Sequence, residues 1–142
     1  MTREPIYAAL FARLAAIPGL KTSSRILKHW NDVPAEQQPA LFQAQTGETP
    51  QQQTGEPTKW LLEVDLYLYV RRNAGVPGAA LNPLIDAIEA TFPLHPVTGL
   101  HMLDVPGQLG IEWARISGRI ETDEGTLGDQ AVAIVPVQIL AT

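Results

Sequence analysis

Glu63 and Asp65 stand two residues apart in the run Trp60-Leu61-Leu62-Glu63-Val64-Asp65-Leu66, a spacing that puts both carboxylates on one face of an extended strand. Paired carboxylates are what a general acid–base couple or a hard-cation site uses. The same face continues with Tyr67, Tyr69 and Arg71, and tyrosine with arginine is the composition of a protein contact surface. Alternating solvent-facing residues account for the two acids without chemistry, so the face reads as an interaction surface. The three histidines are scattered, His29 apart from His95 and His101, and no His-Glu-x-x-His spacing exists. They read as solvated or capping side chains. Ser23, Ser24 and Ser117 are the only serines, none in a Gly-x-Ser-x-Gly elbow, and neither Gly-x-Gly-x-x-Gly nor a Gly-Lys-Ser/Thr loop occurs. The sequence therefore points away from a serine hydrolase, a nucleotide enzyme, a metal site or any cofactor.

Lys21, Arg25, Lys28 and Trp30 could form a small basic-aromatic patch for single-stranded nucleic acid. The chain as a whole carries a net charge of -5, the wrong sign for counterion-release binding, and the patch reads as a solvated edge. There is no cysteine, hence no disulfide framework or thiol nucleophile, and stability is expected from packing alone. The longest apolar run, Ala131 to Val137, is far short of a membrane span, and the residues after Met1 lack the apolar stretch of a signal peptide. A soluble chain is expected, with no membrane partner.

The elements that must position these residues follow from periodicity. The 142 residues, 45% hydrophobic and 18% charged, fit one globular domain. Ile6, Leu10, Leu14 and Ile17 with Tyr7 and Phe11 predict an amphipathic helix over about Arg3 to Ala16, capped by Thr2 and ended by Pro18-Gly19. Short strands are predicted at Ser24 to Trp30 and Ala40 to Gln45, paired as a hairpin. Thr46 to Pro57 lacks any large apolar residue and reads as a mobile loop. From Thr58 to Arg72 the alternation of Trp60, Leu62, Val64, Leu66, Leu68 and Val70 with the polar face predicts one long strand. A second helix over about Ala79 to Thr91, with Asn82-Pro83 as its cap, would bury Leu84, Ile88 and Phe92. Leu94 to Gly107 reads as a loop, and Leu109 to Thr122 and Gln130 to Leu140 as two strands joined through Asp123-Glu124-Gly125 and Leu127-Gly128-Asp129. The order αβββαββ suits a single α+β domain, a mainly antiparallel sheet with both helices on one face.

Several of these segments occur together in a familiar succession. They are Ile6 to Leu14 with Ile17-Pro18-Gly19, Leu27-Lys28-His29-Trp30 leading to Pro39-Ala40-Leu41-Phe42, and Pro57-Thr58-Lys59-Trp60 with Asp65 to Val70. Leu81 to Ile88, Gly128-Asp129-Gln130-Ala131 and Pro136-Val137 complete it. Over most of its length the chain resembles the tail terminator, or tail completion, proteins of long-tailed bacteriophages and prophages, a class of minor tail protein. The resemblance implies an α+β virion protein without catalysis. It implies a homo-hexameric ring that ends tail-tube polymerisation, with the tail tube protein and a head-completion or connector protein as partners and DNA only in transit. The implied location is the virion tail, and the host cytoplasm during assembly. It makes the 46 to 57 loop, the long strand and the 94 to 107 loop candidate contact regions. On the first two, the candidate contacts are Glu48, Gln51, Gln52, Gln53, Glu56, Lys59, Glu63, Asp65, Tyr67, Tyr69 and Arg71. A head-to-tail joining protein, or a small-molecule-binding domain using Glu63, Asp65 or His101 in an apolar concavity between helices and sheet, are the alternatives.

Overall fold

The computed structural model describes residues 1–71, 75–105, 107, 109–126 and 128–142. Arg72 of the long strand, Pro106 of the 94–107 loop and Leu127 of the last turn lie outside them.

Two helices, α1 (Arg3–Ala15) and α2 (Pro77–Ala90), join strands β1 (Thr22–Ser24), β2 (Ala40–Gln51), β3 (Lys59–Arg71), β4 (Ile111–Ile116), β5 (Glu121–Asp123) and β6 (Gln130–Ala141). The sheet runs β1-β2-β3-β6-β4, with β5 also on β6. All pairings are antiparallel except β1 with β2. This is the α+β class expected from the sequence, in the order αβββαβββ.

β3 is the spine, paired with β2 from Lys59 to Tyr69 and with β6 from Trp60 to Arg71. Its Leu62, Val64, Leu66, Leu68 and Val70 join Ile6, Leu10 and Leu14 of α1, and Leu81, Leu84 and Ile88 of α2, in the main core. The same face of β6 contributes Ala131, Ala133, Val135, Val137 and Ile139.

Four expectations about local structure change. The predicted strand at Ser24 to Trp30 is in fact β1 at Thr22–Ser24 followed by an irregular crossing that ends in short 3-10 turns at Trp30–Asp32 and Ala35–Gln37. β1 pairs β2 in parallel, not as a hairpin, because the segment from Arg25 to Pro39 runs over the second face of the sheet before β2 begins. There Gln38 Nε2 donates to the Val33 carbonyl at 3.0 Å and to Gln130 Oε1 at 2.9 Å.

The proposed loop at Thr46 to Pro57 is half strand. β2 continues to Gln51, pairing Gly47 to Gln51 with Glu63 to Lys59, and leaves only Gln52 to Thr58 as the connection. Lack of apolar side chains prevents burial but not a ladder, since backbone pairing with an already formed β3 needs no core. α2 starts at Pro77, six residues before the proline expected to open it, and Pro83 lies inside the helix. Pro83 and Ala79, whose carbonyl loses its partner there, are both exposed, so solvent takes the freed acceptor. Finally, the strand predicted over Leu109 to Thr122 is broken between β4 and β5. Ser117 N donates to the Pro136 carbonyl at 3.0 Å, which places the proline nitrogen, with no hydrogen to offer, on that same edge of β6. The chain turns away there through Gly118 at φ +116, where a Cβ would stand 3.2 Å from Pro136 Cγ.

Leu10 and Leu66 are both fully buried in the main core. Truncation of either to alanine is expected to cost about 2 to 5 kcal/mol, read as a lower urea midpoint with unchanged slope. An unchanged midpoint for both would contradict the assignment of the inward faces.

Candidate contact surfaces

The arm formed by β2 and β3 carries most of the sequence-predicted contact residues. Between Gln45 and Gly47 the register shifts by one residue, and this bulge restores Glu48 to the face that α1 covers. Glu48 accepts from Arg3 Nε at 2.6 Å and from the Tyr7 hydroxyl at 2.9 Å. Arg3 also lies 4.7 Å above the Trp60 ring. The Arg3 guanidinium holds the Glu48 carboxyl below the usual range, with Tyr7 assisting. Burial and the same carboxylate push the Tyr7 hydroxyl up to about 12. Glu48 is therefore a fixed brace between α1 and the arm.

Beyond the brace, Gln51, Gln52, Gln53 and Glu56 are exposed at the tip, where Glu56 N closes a turn on the Gln53 carbonyl at 3.1 Å. Lys59 pairs with Glu112 of β4 at 2.9 Å. A pair this exposed orients the two side chains more than it stabilises the fold.

The polar face of β3 splits into two regions. Arg71, at one end of the strand, is exposed. Tyr69 is buried, contrary to its expected solvent-facing place. It packs with Ala40, Phe42, Val33 and Val132 in a second, smaller core, its ring 5.5 Å from Phe42 and its hydroxyl donating to the Lys28 carbonyl at 2.7 Å. Burial pushes that hydroxyl up to about 12. The crossing segment causes this by laying Trp30 and Val33 over one end of the face. Tyr67, Asp65 and Glu63 stay half-buried and uncovered. Glu63 accepts from Gln138 Nε2 at 3.1 Å. Asp65 is pushed above the usual carboxylate range, first by burial and then by the like charges of Glu121 and Glu63.

Between the crossing segment and β5 lies an open groove of about 600 Å³, floored by Tyr67, Tyr69, Val132 and Ile134 and walled by Trp30 on one side and Thr122 on the other. Most of the space between the helices and the sheet is filled by core side chains, but a cavity of about 590 Å³ beside the end of α2 and β4 is lined by Phe92, His101 and Ile116, whereas Glu63 and Asp65 line neither it nor the groove. Nor do the histidines converge. His29 Nδ1 accepts from Asn31 N, and His95 Nδ1 from Val97 N and Thr98 N. His101 Nδ1 sits 2.7 Å from the Phe92 carbonyl. Among the described residues no group of three or more acids and histidines could hold a metal ion, and no helix is long and apolar enough to cross a membrane. Of the basic patch, Arg25 pairs with Glu4.

Sequence reasoning missed Trp30 and Ile134 as groove residues, because the crossing segment that creates the groove has no periodic signature. It also passed over Leu94, Val97 and Leu100 as individual contacts. They are 59%, 86% and 43% exposed on the 94–107 loop, and their apolar character between prolines was the available signal.

With this geometry in place, the chain is similar in fold to solved structures. One is a chain of the virion of a native gene transfer agent particle, with TM-score 0.58 and 11% identity over 96% of this chain and 93% of that one. A second solved chain aligns at TM-score 0.56 and 17% identity, covering 100% of this chain and 96% of its own. No known family profile matches the sequence, and no curated protein is detectably similar to it.

Asp65 supplies a pH test of the uncovered face. Its folded pKa is raised, so ionised Asp65 works against the fold at neutral pH, and stability recovers as pH falls through that pKa. Asp65→Asn is expected to melt at higher temperature than the parent at about pH 7, with the gain vanishing by about pH 3. A variant less stable at neutral pH would show that the carboxylate has a favourable partner there.

Proposed function

We propose that the chain is a non-catalytic structural subunit of a phage-type particle, and within that class a tail terminator. In this reading six copies close a ring on the finished tail tube, stop its growth and offer the opposite face to a head-completion or connector protein. The observation that carries the reading is the likeness in fold, across nearly the whole chain, to a chain of a gene transfer agent virion.

Physical features of the chain agree with it. The β2–β3 arm beyond the Glu48 brace offers polar side chains without an apolar core, which suits a contact that forms only against a matching partner. The net charge of -5 gives a ring no general attraction for phosphate, so DNA in transit is not retained. A head-to-tail joining protein would share these features and differ in what captures it.

Light scattering across a concentration series, with electron microscopy of the largest species, tests the ring. Six-fold closed rings are expected, and a strict monomer at every concentration contradicts them. Labelled chain offered separately to purified tail tubes and purified heads of the same particle distinguishes the two roles. Binding to tubes first supports the terminator, and binding to heads first the joiner. A saturable rise in melting temperature with a small-molecule library would instead favour a ligand-binding role for the groove.

A further inference from the structure

The loop after α2 is an apolar tip held in one shape. Leu94 bridges His101, His95 N donates to the Leu100 carbonyl at 2.8 Å, and Gly99 N donates to the His95 carbonyl at 2.9 Å with Gly99 at φ +67. His95 Nδ1 then accepts from the backbone of Val97 and Thr98. These bonds fix Leu94, Val97 and Leu100 outward instead of letting them fold back onto the core. Val97 is the most exposed large apolar residue among those described, and a rigid apolar tip in water marks a protein contact.

The groove on the second sheet face has the complementary character. Its floor is Tyr67, Tyr69 and Ile134, and Glu121 and Asp123 stand on one wall with Lys28 on the other. Asp65, beside the groove, lies close enough to Glu121 and to Glu63 for its charge to interact with theirs. This acidic surround repels a carboxylate-bearing occupant. The run from Pro93 to Leu103 contains no carboxylate and two histidines. The tip is anchored to the outer edge of β4, where Ala114 N donates to the His101 carbonyl at 3.0 Å, whereas the groove opens on the face of β3 and β6. Two different patches that fit each other make a head-to-tail contact, the kind that closes rings.

We infer that the Leu94–Leu100 tip of one copy seats in the Trp30–Tyr67–Ile134 groove of the next. The inference rests on the ring reading above for its closure, but the contact itself is testable separately. Because the chain has no cysteine, two single-cysteine variants, Val97→Cys and Thr122→Cys, can be mixed under mild oxidation. Both positions are exposed, so the fold tolerates them. A disulfide between positions 97 and 122 is expected, well above the level for Val97→Cys mixed with Gln52→Cys at the arm tip. No excess of the 97–122 product overturns the contact. Val97→Asp is expected to abolish the higher-mass species while leaving the melting temperature of the monomer unchanged. Rings that persist in Val97→Asp overturn this contact and leave the ring reading standing. A 97–122 product from a chain that never closes into rings supports the contact and contradicts the ring.

Discussion

The two-residue alternation of β3 is the constraint on which the other contacts depend. A strand has two faces, and a slip of one residue would exchange them along its whole length. Leu62 to Val70 on one side must meet α1 and α2, so Glu63 to Arg71 on the other are committed to the second face. β6 is bound to the same register along β3. The main core thus determines what the opposite surface displays, including the half-buried Asp65 and the tyrosine floor of the groove. The Gln45/Gly47 bulge is the local exception that supports the rule. It lets β2 keep its ladder while returning Glu48 to the helix side, where Arg3 and Tyr7 hold it.

The fold class was legible because its strongest signals are periodic. The alternation of β3 and the helical spacing of Ile6, Leu10 and Leu14 each specify a face without reference to any partner. What was not legible is set by contacts distant in sequence. Nothing between Ser24 and Pro39 announces that it will cross a sheet face, yet that crossing buries Tyr69, builds the second core and shapes the groove. Thr46 to Gln51 looks like loop because its side chains bury nothing, and it is strand because β3 supplies a ladder. The break after β4 is written partly in Pro136, a residue on a different strand. Among the candidate contacts, composition singled out the β3 face and the resemblance the segment that forms the arm, while Trp30, Ile134 and the exposed order of Leu94, Val97 and Leu100 needed coordinates.

The division of labour between the faces bears on function. A protein that exposed a whole apolar sheet face would associate without specificity. This one covers half of its second face with its own crossing segment and crowds the remainder with like-charged carboxylates. Among the described residues, the apolar surface left outside includes a groove, a loop tip and the single side chains of Ile26 and Val76. Polar arms and localised apolar contacts suit an association that is weak for each pair and strong when closed, because each subunit in a ring makes two contacts at once. Proposing a ring-forming particle component is consistent with that economy of exposed surface, and with the likeness in fold to a virion chain.

The most direct test of the account is the growth of tail tubes in solution from the tube protein of the same particle, followed by electron microscopy with and without this chain. Growth is expected to stop when the chain is added, with density for the chain at one end of each arrested tube. Tubes that lengthen at the same rate, with the chain absent from their ends, would contradict the account.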